Sequence, residues 1–324
     1  MSTAPGGRGE RAWFDSARVE RLRERAAILR EVRAFFDGRG FLEVQTPLVV
    51  PSPGLDLHLA AFEVATDAGP RWLITSPEYQ MKRVVAGGVA RVYQVCKTFR
   101  REELGALHEP EFTMLEWYDA SEGASAETTM AQTEQLVAAL ARARSGEAAC
   151  EVDGRRIDLR PPWPRVRVDD AYRELAGCSM WDLLPDEERF FRAMVERVQP
   201  ALGAERPVFL THWPASMASL ARLSPDEPTL ALRYEAFIAG IELCNGFDEL
   251  TDAAEQRARL ERDQHARREA GLPVYPIDAR FLAALEEGLP PCSGNALGVD
   301  RLVAWLVGAP SIQDVIAIPA ARLE

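Results

Sequence analysis

The stretch from Val92 to Tyr118 constrains the fold of this chain more than any other. Its sequence, VYQVCKTFRREELGALHEPEFTMLEWY, contains two segments rich in strand-forming residues, joined by a charged loop that includes a glycine. This pattern predicts an antiparallel hairpin with a long connection. The hairpin is unusual in its polar content, because both of its arms carry charged side chains.

Side chains two residues apart on a strand share one face of the sheet. The returning arm is therefore predicted to present four side chains on one face: Phe112, Met114, Glu116 and Tyr118. At the end of the first arm, Arg100 and Glu102 would project together. A face that mixes carboxylates, an arginine and aromatic rings suits the floor of a pocket, where an anion binds at one end and a cation at the other.

The overall charge argues against some classes of protein. The chain has 38 Lys and Arg residues against 50 Asp and Glu residues, a formal net charge of -12. This balance disfavours a protein that wraps nucleic acid by neutralising phosphates. The two lysines, Lys82 and Lys97, do not follow a glycine, which excludes a P-loop of the G-x-x-x-x-G-K type. A nucleotide site in this chain must be of another kind.

Common metal and nucleophile motifs are also missing from the sequence. The five cysteines (Cys96, Cys150, Cys178, Cys244 and Cys292) lie far apart and read as the reduced thiols of a cytoplasmic protein. The four histidines form no H-E-x-x-H motif, and there is no G-x-S-x-G elbow. No signal segment opens the chain, and no apolar run is long enough to span a bilayer. We therefore expect a cytoplasmic protein without membrane association.

The chain length of 324 residues fits a single large α+β domain. Residues 1–15 are expected to be a flexible terminus, and residues 16–324 one domain. Apolar residues at helical spacing predict a long helix from Ser16 to just before Gly38, followed by a short strand that ends at Pro47. Residues 169–200 are expected to be a helical insertion.

Three further segments contain candidate site residues. RWLITSPEYQMKRVVAGG predicts a strand, a turn and a helix, with Ser76 and Pro77 at the helix start; taken alone, these residues form an ordinary helix cap. TLALRYEAFIAGIELCNGFDEL predicts strands interrupted by Gly240 and Gly246. PPCSGNALGVDRLVAWLVG predicts a glycine-punctuated turn that opens a short apolar helix with Arg301 in its first turn. Such a helix start suits phosphate, although a purely structural turn is the favoured account when this segment is taken alone.

The first helix and strand, the charged hairpin and the glycine turn occur in the order of the three motifs of class II aminoacyl-tRNA synthetases. The sequence resembles the lysyl branch in FRREE, HEPEFTMLEWY, GIELCNGFDEL and SGNALGVDRL. The resemblance runs from about Arg18 to Ile318. It implies an α+β catalytic core with an antiparallel six- to seven-stranded sheet flanked by helices, and a homodimer formed through the first motif.

Lysyl-tRNA synthetases carry an N-terminal β-barrel that reads the anticodon, and we expect no such domain here. The segments SPEYQMKR and GIELCNGFDEL resemble the elongation factor P lysine ligases. That family activates (R)-β-lysine with ATP and Mg²⁺ and transfers it to a lysine ε-amine of elongation factor P. The resemblance implies the same for this chain, without stable nucleic-acid binding. Two alternatives stay open: stand-alone aminoacylation of tRNA or a minihelix with lysine, and a catalytically silent synthetase-like sensor.

The resemblance also implies the residues of a nucleotide site. Arg100 would bridge the α-phosphate and the substrate carboxylate, and Arg301 would hold the γ-phosphate; these two are the expected catalytic residues. The other expected ATP-binding residues are Arg101, Glu102, Glu109, Phe112, Glu242, Leu243 and Gly298. Glu102 would accept from the adenine amino group, and Phe112 would stack on the ring. Glu235 and Glu242 would hold Mg²⁺.

The expected amino-acid site is rich in carboxylates. Its residues are Ser76, Pro77, Glu78, Glu116, Tyr118, Asn245 and Glu249. Glu78 would bind the backbone-type amine. Glu116, Tyr118 and Glu249 would bind the ε-amine. Asn245 would steady the carboxylate.

Three positions depart from the family pattern. Arg101 and Glu109 stand where asparagine is common, and a carboxylate at Glu109 would repel ATP phosphates unless it turns away. Cys244 stands where lysyl-tRNA synthetases have glycine and the ligases commonly have alanine. Its larger side chain would reshape the amino-acid pocket, which leaves the choice between lysine and β-lysine open.

Overall fold

The computed structural model describes residues 10–101, 103–152 and 154–323. Its strands, in chain order, are β1 (Leu42–Glu43), β2 (Val49–Val50), β3 (Glu63–Val64), β4 (Arg71–Leu73), β5 (Arg91–Phe99), β6 (Glu111–Asp119), β7 (Ala149–Val152), β8 (Arg155–Asp158), β9 (Arg165–Arg167), β10 (Val208–Pro214), β11 (Leu230–Ile238), β12 (Ile241–Asp248) and β13 (Ser293–Gly298).

The α-helices are α1 (Glu10–Trp13), α2 (Ser16–Asp37), α3 (Glu78–Ala86), α4 (Ala126–Ser145), α5 (Val168–Ala171), α6 (Met180–Leu183), α7 (Glu187–Ala193), α8 (Ala253–Glu269), α9 (Ala279–Gly288) and α10 (Val299–Leu306). Two π-helical turns, Tyr172–Ala176 and Met194–Val198, continue α5 and α7. Short 3₁₀ turns cover Gln199–Ala201, Ala215–Met217, Ile312–Asp314 and Ala320–Arg322.

One large sheet organises the molecule, with the strand order β1-β5-β6-β13-β12-β11-β10-β9. The six inner strands are antiparallel to their neighbours, whereas β1 and β9 pair in parallel at the two edges. The expected α+β fold is confirmed. The sheet has eight strands rather than the six or seven that the resemblance implies, because two short strands, β1 and β9, extend it at its two edges.

Each face of the sheet is covered by its own apolar cluster. Trp117 of β6 points into the larger cluster, which is built with α2, α4 and α10 and includes Phe36. Its neighbour Tyr118 points to the opposite face, into a cluster built with α3 and α9 that includes Met81 and Phe281. Neighbouring residues of the predicted hairpin therefore serve opposite faces, as the alternation of a strand requires.

Helix α2 begins and ends where its sequence predicts, and both long helices, α2 and α4, are bounded by capping residues. Asp15 caps α2 by accepting a hydrogen bond from the backbone N–H of Arg18 at 2.8 Å. Ser125 and Thr128 form a reciprocal capping box at the start of α4. Gly146 ends α4 with a φ of 81°, a left-handed conformation that glycine adopts without strain.

The N-terminal segment is more structured than expected where it is described. Residues 1–9 of the expected flexible terminus lie outside the described residues, but Glu10–Trp13 form helix α1. The Trp13 indole donates to the carbonyl oxygen of Ala317 at 3.1 Å, and the Arg18 guanidinium lies 3.8 Å from the Trp13 ring centroid. An aromatic anchor thus fixes this segment against the C-terminal part of the chain.

The segment Ser293–Gly298, expected to be a turn, is instead strand β13 at the centre of the sheet. A Cβ atom at Gly294 would lie 2.4 Å from Oε1 of Glu249 and 2.4 Å from Cε1 of Tyr118. Gly246 lies within β12 rather than interrupting it, since a Cβ there would lie 2.3 Å from Cζ of Tyr234. These glycines give space to neighbouring side chains, not flexibility to a turn.

The region between β9 and β10, which contains residues 169–200, is built of short helices and helical turns. It has its own apolar cluster, in which the rings of Tyr172 and Phe190 stack with centroids 4.9 Å apart. Leu210 of β10 and Phe237 of β11 belong to the same cluster. The insertion is therefore packed onto the β9 edge of the sheet.

Candidate active site

A cleft of about 640 Å³ lies on one face of the sheet. It combines apolar walls with a few charged groups, which is typical of small-molecule sites. The sequence-predicted residues that line it are Arg100, Glu109, Phe112, Glu235, Glu242, Leu243, Asn245, Gly298 and Arg301. The structure thus brings together most of the residues expected at the nucleotide and at Mg²⁺.

Strand register explains how distant parts of the chain meet here. Glu116 of β6 pairs with Ala296 of β13, Ala296 pairs with Asn245 of β12, and Asn245 pairs with Glu235 of β11. Directly opposed residues present their side chains on the same face. The four residues therefore form a row across the sheet, with a carboxylate at each end and Asn245 between them.

Arg100 and Phe112 stand beside each other at the exit of the hairpin. The Arg100 guanidinium carbon lies 5.1 Å from the Phe112 ring centroid, and Nη1 lies 3.5 Å from Oε1 of Glu103. The Arg101 backbone N–H donates to Ala60 at 2.8 Å, and Arg101 is exposed outside the described lining of the cleft. Glu102 lies outside the described residues, so its expected contact with adenine stays a prediction.

Glu109 is buried in the cleft wall with 2% of its surface exposed. Its Oε2 accepts a hydrogen bond from the backbone N–H of Ala320 at 2.9 Å. Its Oε1 is buried and has no hydrogen-bond partner within the described part of the chain. The carboxylate that departs from the family pattern is thus turned partly toward the C-terminal segment.

Arg301 is held at several points in the first turn of α10. Its guanidinium donates to the carbonyl oxygen of Glu242 at 3.0 Å, to that of Leu107 at 3.3 Å and to Nε2 of His108 at 2.8 Å. Burial, together with the charge of Arg301, lowers the pKa of His108. The imidazole is therefore neutral at pH 7 and extends the polar edge that Arg301 presents to the cleft.

Glu235 and Glu242 also line the cleft. Oε1 of Glu235 accepts from Arg233 Nη2 at 2.6 Å and from Asn245 Nδ2 at 3.3 Å. Burial raises the pKa of Glu235 to about 7, Arg233 opposes this rise, and the charge of Glu242 adds to it. Among the described residues, no group of three or more His, Cys, Asp or Glu side chains could hold a metal ion by itself.

The expected amino-acid residues form a second, buried network beside the cleft. Ser76 Oγ donates to Oε2 of Glu116 at 2.8 Å, and the Tyr118 hydroxyl donates to Oε1 of Glu116 at 2.7 Å. The backbone N–H of Glu78 donates to Ser76 Oγ at 3.0 Å, and Pro77 is the N-cap residue of α3. The helix cap and the expected binding residues are therefore the same residues.

Lys82 lies at the centre of this network. Its Nζ is 2.6 Å from Oε1 of Glu78 and 2.6 Å from Oε2 of Glu249, and its side chain is 1% exposed. Burial opposes the charge on Lys82, but Glu249 and Glu78 outweigh it, so the pKa of Lys82 is raised. Burial also raises the pKa of Glu116 and of Glu249, since a low-dielectric interior disfavours their charged forms.

Gly298 and Cys244 shape the cleft in different ways. A Cβ at Gly298 would make only an ordinary 3.7 Å contact with Arg301, so the protein's own packing does not require glycine there. Cys244 is 2% exposed and lines the cleft between Leu243 and Asn245. Burial raises the pKa of its thiol to about 12, so it is a neutral wall residue.

Comparison with known proteins gives this arrangement a family. Residues 12–322 match the family model of the class II tRNA synthetases (D, K and N). The chain is 41% identical over 321 residues to the elongation factor P–(R)-β-lysine ligase of Klebsiella pneumoniae (strain 342), covering 96% of this chain and 98% of that protein.

The ligases of the same name from Yersinia enterocolitica and Proteus mirabilis are each 40% identical, with the same coverage of both chains. The chain belongs to the elongation factor P–(R)-β-lysine ligases of the class II tRNA synthetase family. The family resemblance read from the sequence motifs is confirmed.

Two residues of this family member were missed by the sequence reasoning. His108 was set aside because it belongs to no zinc motif, although it lies in the loop of the charged hairpin. Lys82 lies four residues after Glu78 on α3, and that spacing was a usable signal, because residues four apart share a helix face.

None of the helices in the described part of this ligase-family chain is long and apolar enough to cross a membrane.

Proposed function

We propose that this chain uses ATP to activate (R)-β-lysine, or lysine, as an aminoacyl-adenylate and transfers the aminoacyl group to a lysine ε-amine of elongation factor P. The observation that carries this proposal is 40–41% identity, over 96% of the chain, to proteins named as elongation factor P–(R)-β-lysine ligases. The row from Glu116 to Glu235 supports it, because the row joins an acidic cluster to a cleft that contains arginines.

The first step joins two anions. A carboxylate oxygen of the amino acid attacks the α-phosphorus of ATP, the bond from that phosphorus to the bridging oxygen breaks, and diphosphate leaves with the electron pair. No protein nucleophile is needed, so the work of the site is positioning and charge stabilisation. Arg100 suits the α-phosphate and the substrate carboxylate, because a guanidinium can bind two oxygens at once.

The rest of the nucleotide would be distributed along the cleft. We assign the γ-phosphate to Arg301, with His108 beside it, and the adenine ring to the face of Phe112. Glu102 and Arg101 stay candidate contacts to the nucleotide, as do Leu243 and the backbone at Gly298. Because Oε2 of Glu109 is engaged by Ala320, a contact between Glu109 and ATP would use Oε1.

Mg²⁺ would neutralise phosphate charge and orient the leaving group. Glu235 and Glu242 fit this role, since both line the cleft and the charge of Glu242 adds to the raised pKa of Glu235. A cation between two carboxylates relieves such repulsion. Two carboxylates completed by phosphate oxygens and water are a usual magnesium site, and this is consistent with the lack of a larger ligand cluster among the described residues.

The charge of the acidic network matches a substrate with two amines. Glu78 and Glu249 pair with one ammonium group, that of Lys82, and Glu116 belongs to the same network, which leaves an excess of two negative charges when all four groups are ionised. A diamino acid brings two ammonium groups. We therefore propose that its amines bind this network through Glu78 and through Glu116, Tyr118 and Glu249, with Asn245 near the carboxylate and Ser76 and Pro77 shaping the entrance.

The second step releases the product. The lysine ε-amine of the protein substrate attacks the carbonyl carbon of the adenylate, an amide bond forms, and the bond to the phosphate oxygen of AMP breaks. AMP leaves with that electron pair, and the amine gives up its proton to solvent. We further propose a cytoplasmic homodimer joined through the α2 region, without stable nucleic-acid binding; the net charge of -12 supports the last point.

The test uses the full chain with ATP and radiolabelled (R)-β-lysine or lysine. Label should appear on purified elongation factor P, and amino-acid-dependent exchange of pyrophosphate into ATP should accompany it. If exchange occurred without any label on the factor, elongation factor P would be refuted as the acceptor of the aminoacyl group. Transfer to tRNA at a matching rate would favour aminoacylation of tRNA, and the absence of exchange would favour a silent sensor.

A further inference from the structure

The helical insertion presents an apolar strip that the described residues leave uncovered. Phe191 is 36% exposed and Val195 is 61% exposed. They lie four residues apart on α7 and the π turn that continues it, so they share one side of the helix. Glu187 is four residues before Phe191. We call Phe191 and Val195 the α7 strip, and Glu187 lies at its N-terminal end.

The strip starts at the mouth of the cleft. Glu187 and Phe191 are lining residues of the cleft itself, whereas Val195 lies further along the helix. The Phe191 ring packs edge-on against His58, with ring centroids 5.5 Å apart, and His58 lines the cleft from another loop. A molecule bound along the strip would therefore lie over the entrance to the proposed active site.

The same entrance is acidic. Asp56, Glu187 and Asp263 line the cleft, and Asp56 and Glu187 are exposed to solvent. Within the described residues no Lys, Arg or His lies within salt-bridge distance of these three carboxylates. Burial, with the nearby charge of Asp56, raises the pKa of Asp263 to about 6. An acidic rim next to an apolar strip complements a protein surface that presents a lysine ammonium.

The position of the strip in the fold separates it from the proposed dimer contact. Helix α2 packs at the β1 edge of the sheet, whereas the insertion follows β9 at the other edge. Strands in a sheet are about 4.8 Å apart, so the eight-stranded sheet puts these edges about 34 Å from each other. A dimer formed through α2 would leave the α7 strip free.

We propose that the α7 strip is the docking surface for the protein that accepts the aminoacyl group, and that the acidic rim guides its lysine into the cleft. This inference rests on the proposed function and adds where the protein substrate binds. Phe191 provides apolar contact area in the cleft wall, and Val195 extends it outside the cleft. Asp56, Glu187 and Asp263 provide the complementary charge at its entrance.

The experiment separates the two steps of the reaction. In the full chain, Val195→Glu puts a charge on the strip, and Leu323→Ala is a control that removes another exposed apolar side chain, 77% exposed, far along the chain. Each variant is assayed for β-lysine-dependent pyrophosphate exchange, which reports activation alone, and for label transfer to elongation factor P over a range of factor concentrations.

We expect Val195→Glu to lower kcat/KM for the factor by about tenfold, mainly through KM, and to leave exchange within about twofold of the unchanged chain. Phe191→Ala should also raise the KM for the factor, and Leu323→Ala should change neither assay. Unchanged transfer by both strip variants would overturn the proposal. A changed oligomeric state of Val195→Glu in sedimentation would also overturn it, in favour of a second copy as the occupant. If the unchanged chain exchanges pyrophosphate but labels no factor, the proposed function fails instead.

Discussion

Lys82 and Glu249 face each other inside the protein, with Nζ of one 2.6 Å from Oε2 of the other and almost no exposure to water. Glu78 lies at the same distance from the same ammonium group. The lysine comes from α3, and Glu249 directly follows β12, so this contact ties a helix to the end of a central strand. It also sets the charge that the proposed amino-acid site offers to its substrate.

Replacing Lys82 by methionine should destabilise the protein strongly. The change removes the counter-charge of the buried Glu249 carboxylate and of the partly buried Glu78 carboxylate, and breaking a buried pair costs about 3 kcal/mol or more. Urea unfolding at pH 9, above the pKa of about 8 of Glu249, measures this. Lys97→Met is the matched control, because Lys97 pairs with Glu111 on the surface, with the two side chains 41% and 55% exposed. The control should cost at most about 1 kcal/mol, and equal losses in the two variants would contradict the assignment.

The ligand-free protein should lose stability as the pH rises from about 5 to 8. Burial raises the pKa of Glu116 and of Glu249 from 4.5 to about 8, so the folded chain binds these protons more tightly than the unfolded chain does. Their contribution is therefore complete below about pH 4.5 and disappears as the pH passes about 8. The raised pKa of Lys82 lies above this window and leaves the trend unchanged.

Urea unfolding at pH 5, 6, 7 and 8 tests this trend. A Glu116→Gln/Glu249→Gln double variant should flatten it, because the glutamines do not titrate. Glu235 and Asp263 keep a part of the slope, since burial raises the pKa of each. A double variant with the same slope as the unchanged chain would show that the titration lies elsewhere.

Two glycines of β13 should respond differently to alanine. At Gly294 the new Cβ would meet Glu249 and Tyr118 at 2.4 Å, so these side chains must move, at a cost of about 1–3 kcal/mol. Activation of the diamino substrate should fall with them. At Gly298 the nearest contact is 3.7 Å, so Gly298→Ala should fold normally and should raise only the KM for ATP. Unfolding curves measure the loss of stability, and exchange kinetics measure the loss of activation. If Gly294→Ala and Gly298→Ala gave the same results in both measurements, the expected difference between the two glycines would be refuted.

Arg301→Ala should weaken ATP binding by about tenfold or more, because it removes a cation that is fixed beside His108 and Glu242 in the cleft. The KM for the amino acid should change less. Arg23 on α2 is 73% exposed at its side chain, and Arg23→Ala is the control for loss of one positive charge. An unchanged KM for ATP in Arg301→Ala would remove this residue from the nucleotide site.

The hairpin and the helix ends were predictable because their signals are local. The alternation of Phe112, Met114, Glu116 and Tyr118 fixed which side chains share a face, and the register of β5 with β6 is consistent with it. The cap at Ser125 and the glycine at Gly146 likewise act on their own neighbours. These elements could be predicted from residues within a few positions of one another in the sequence.

Other features depend on contacts between distant segments. The glycines of β13 look like turn residues in sequence, and only the side chains of Tyr118 and Glu249 above Gly294 explain them as parts of a strand. The partnership of Lys82 with Glu249 joins residues that no sequence window contains together. The tether from Glu109 to Ala320 is of the same kind. Predicting them would require the packing of the sheet in advance.

The row of Glu116, Ala296, Asn245 and Glu235 has a consequence for how the protein is made. The pairing of β6 with β13 joins segments that are far apart in the chain, so it closes a very long loop and is expected to form slowly. A shift of one residue in that pairing would move every side chain of β13 to the opposite face of the sheet. The row can therefore exist only in a chain in which β13 has joined the sheet, and a chain with this register shifted would lack it.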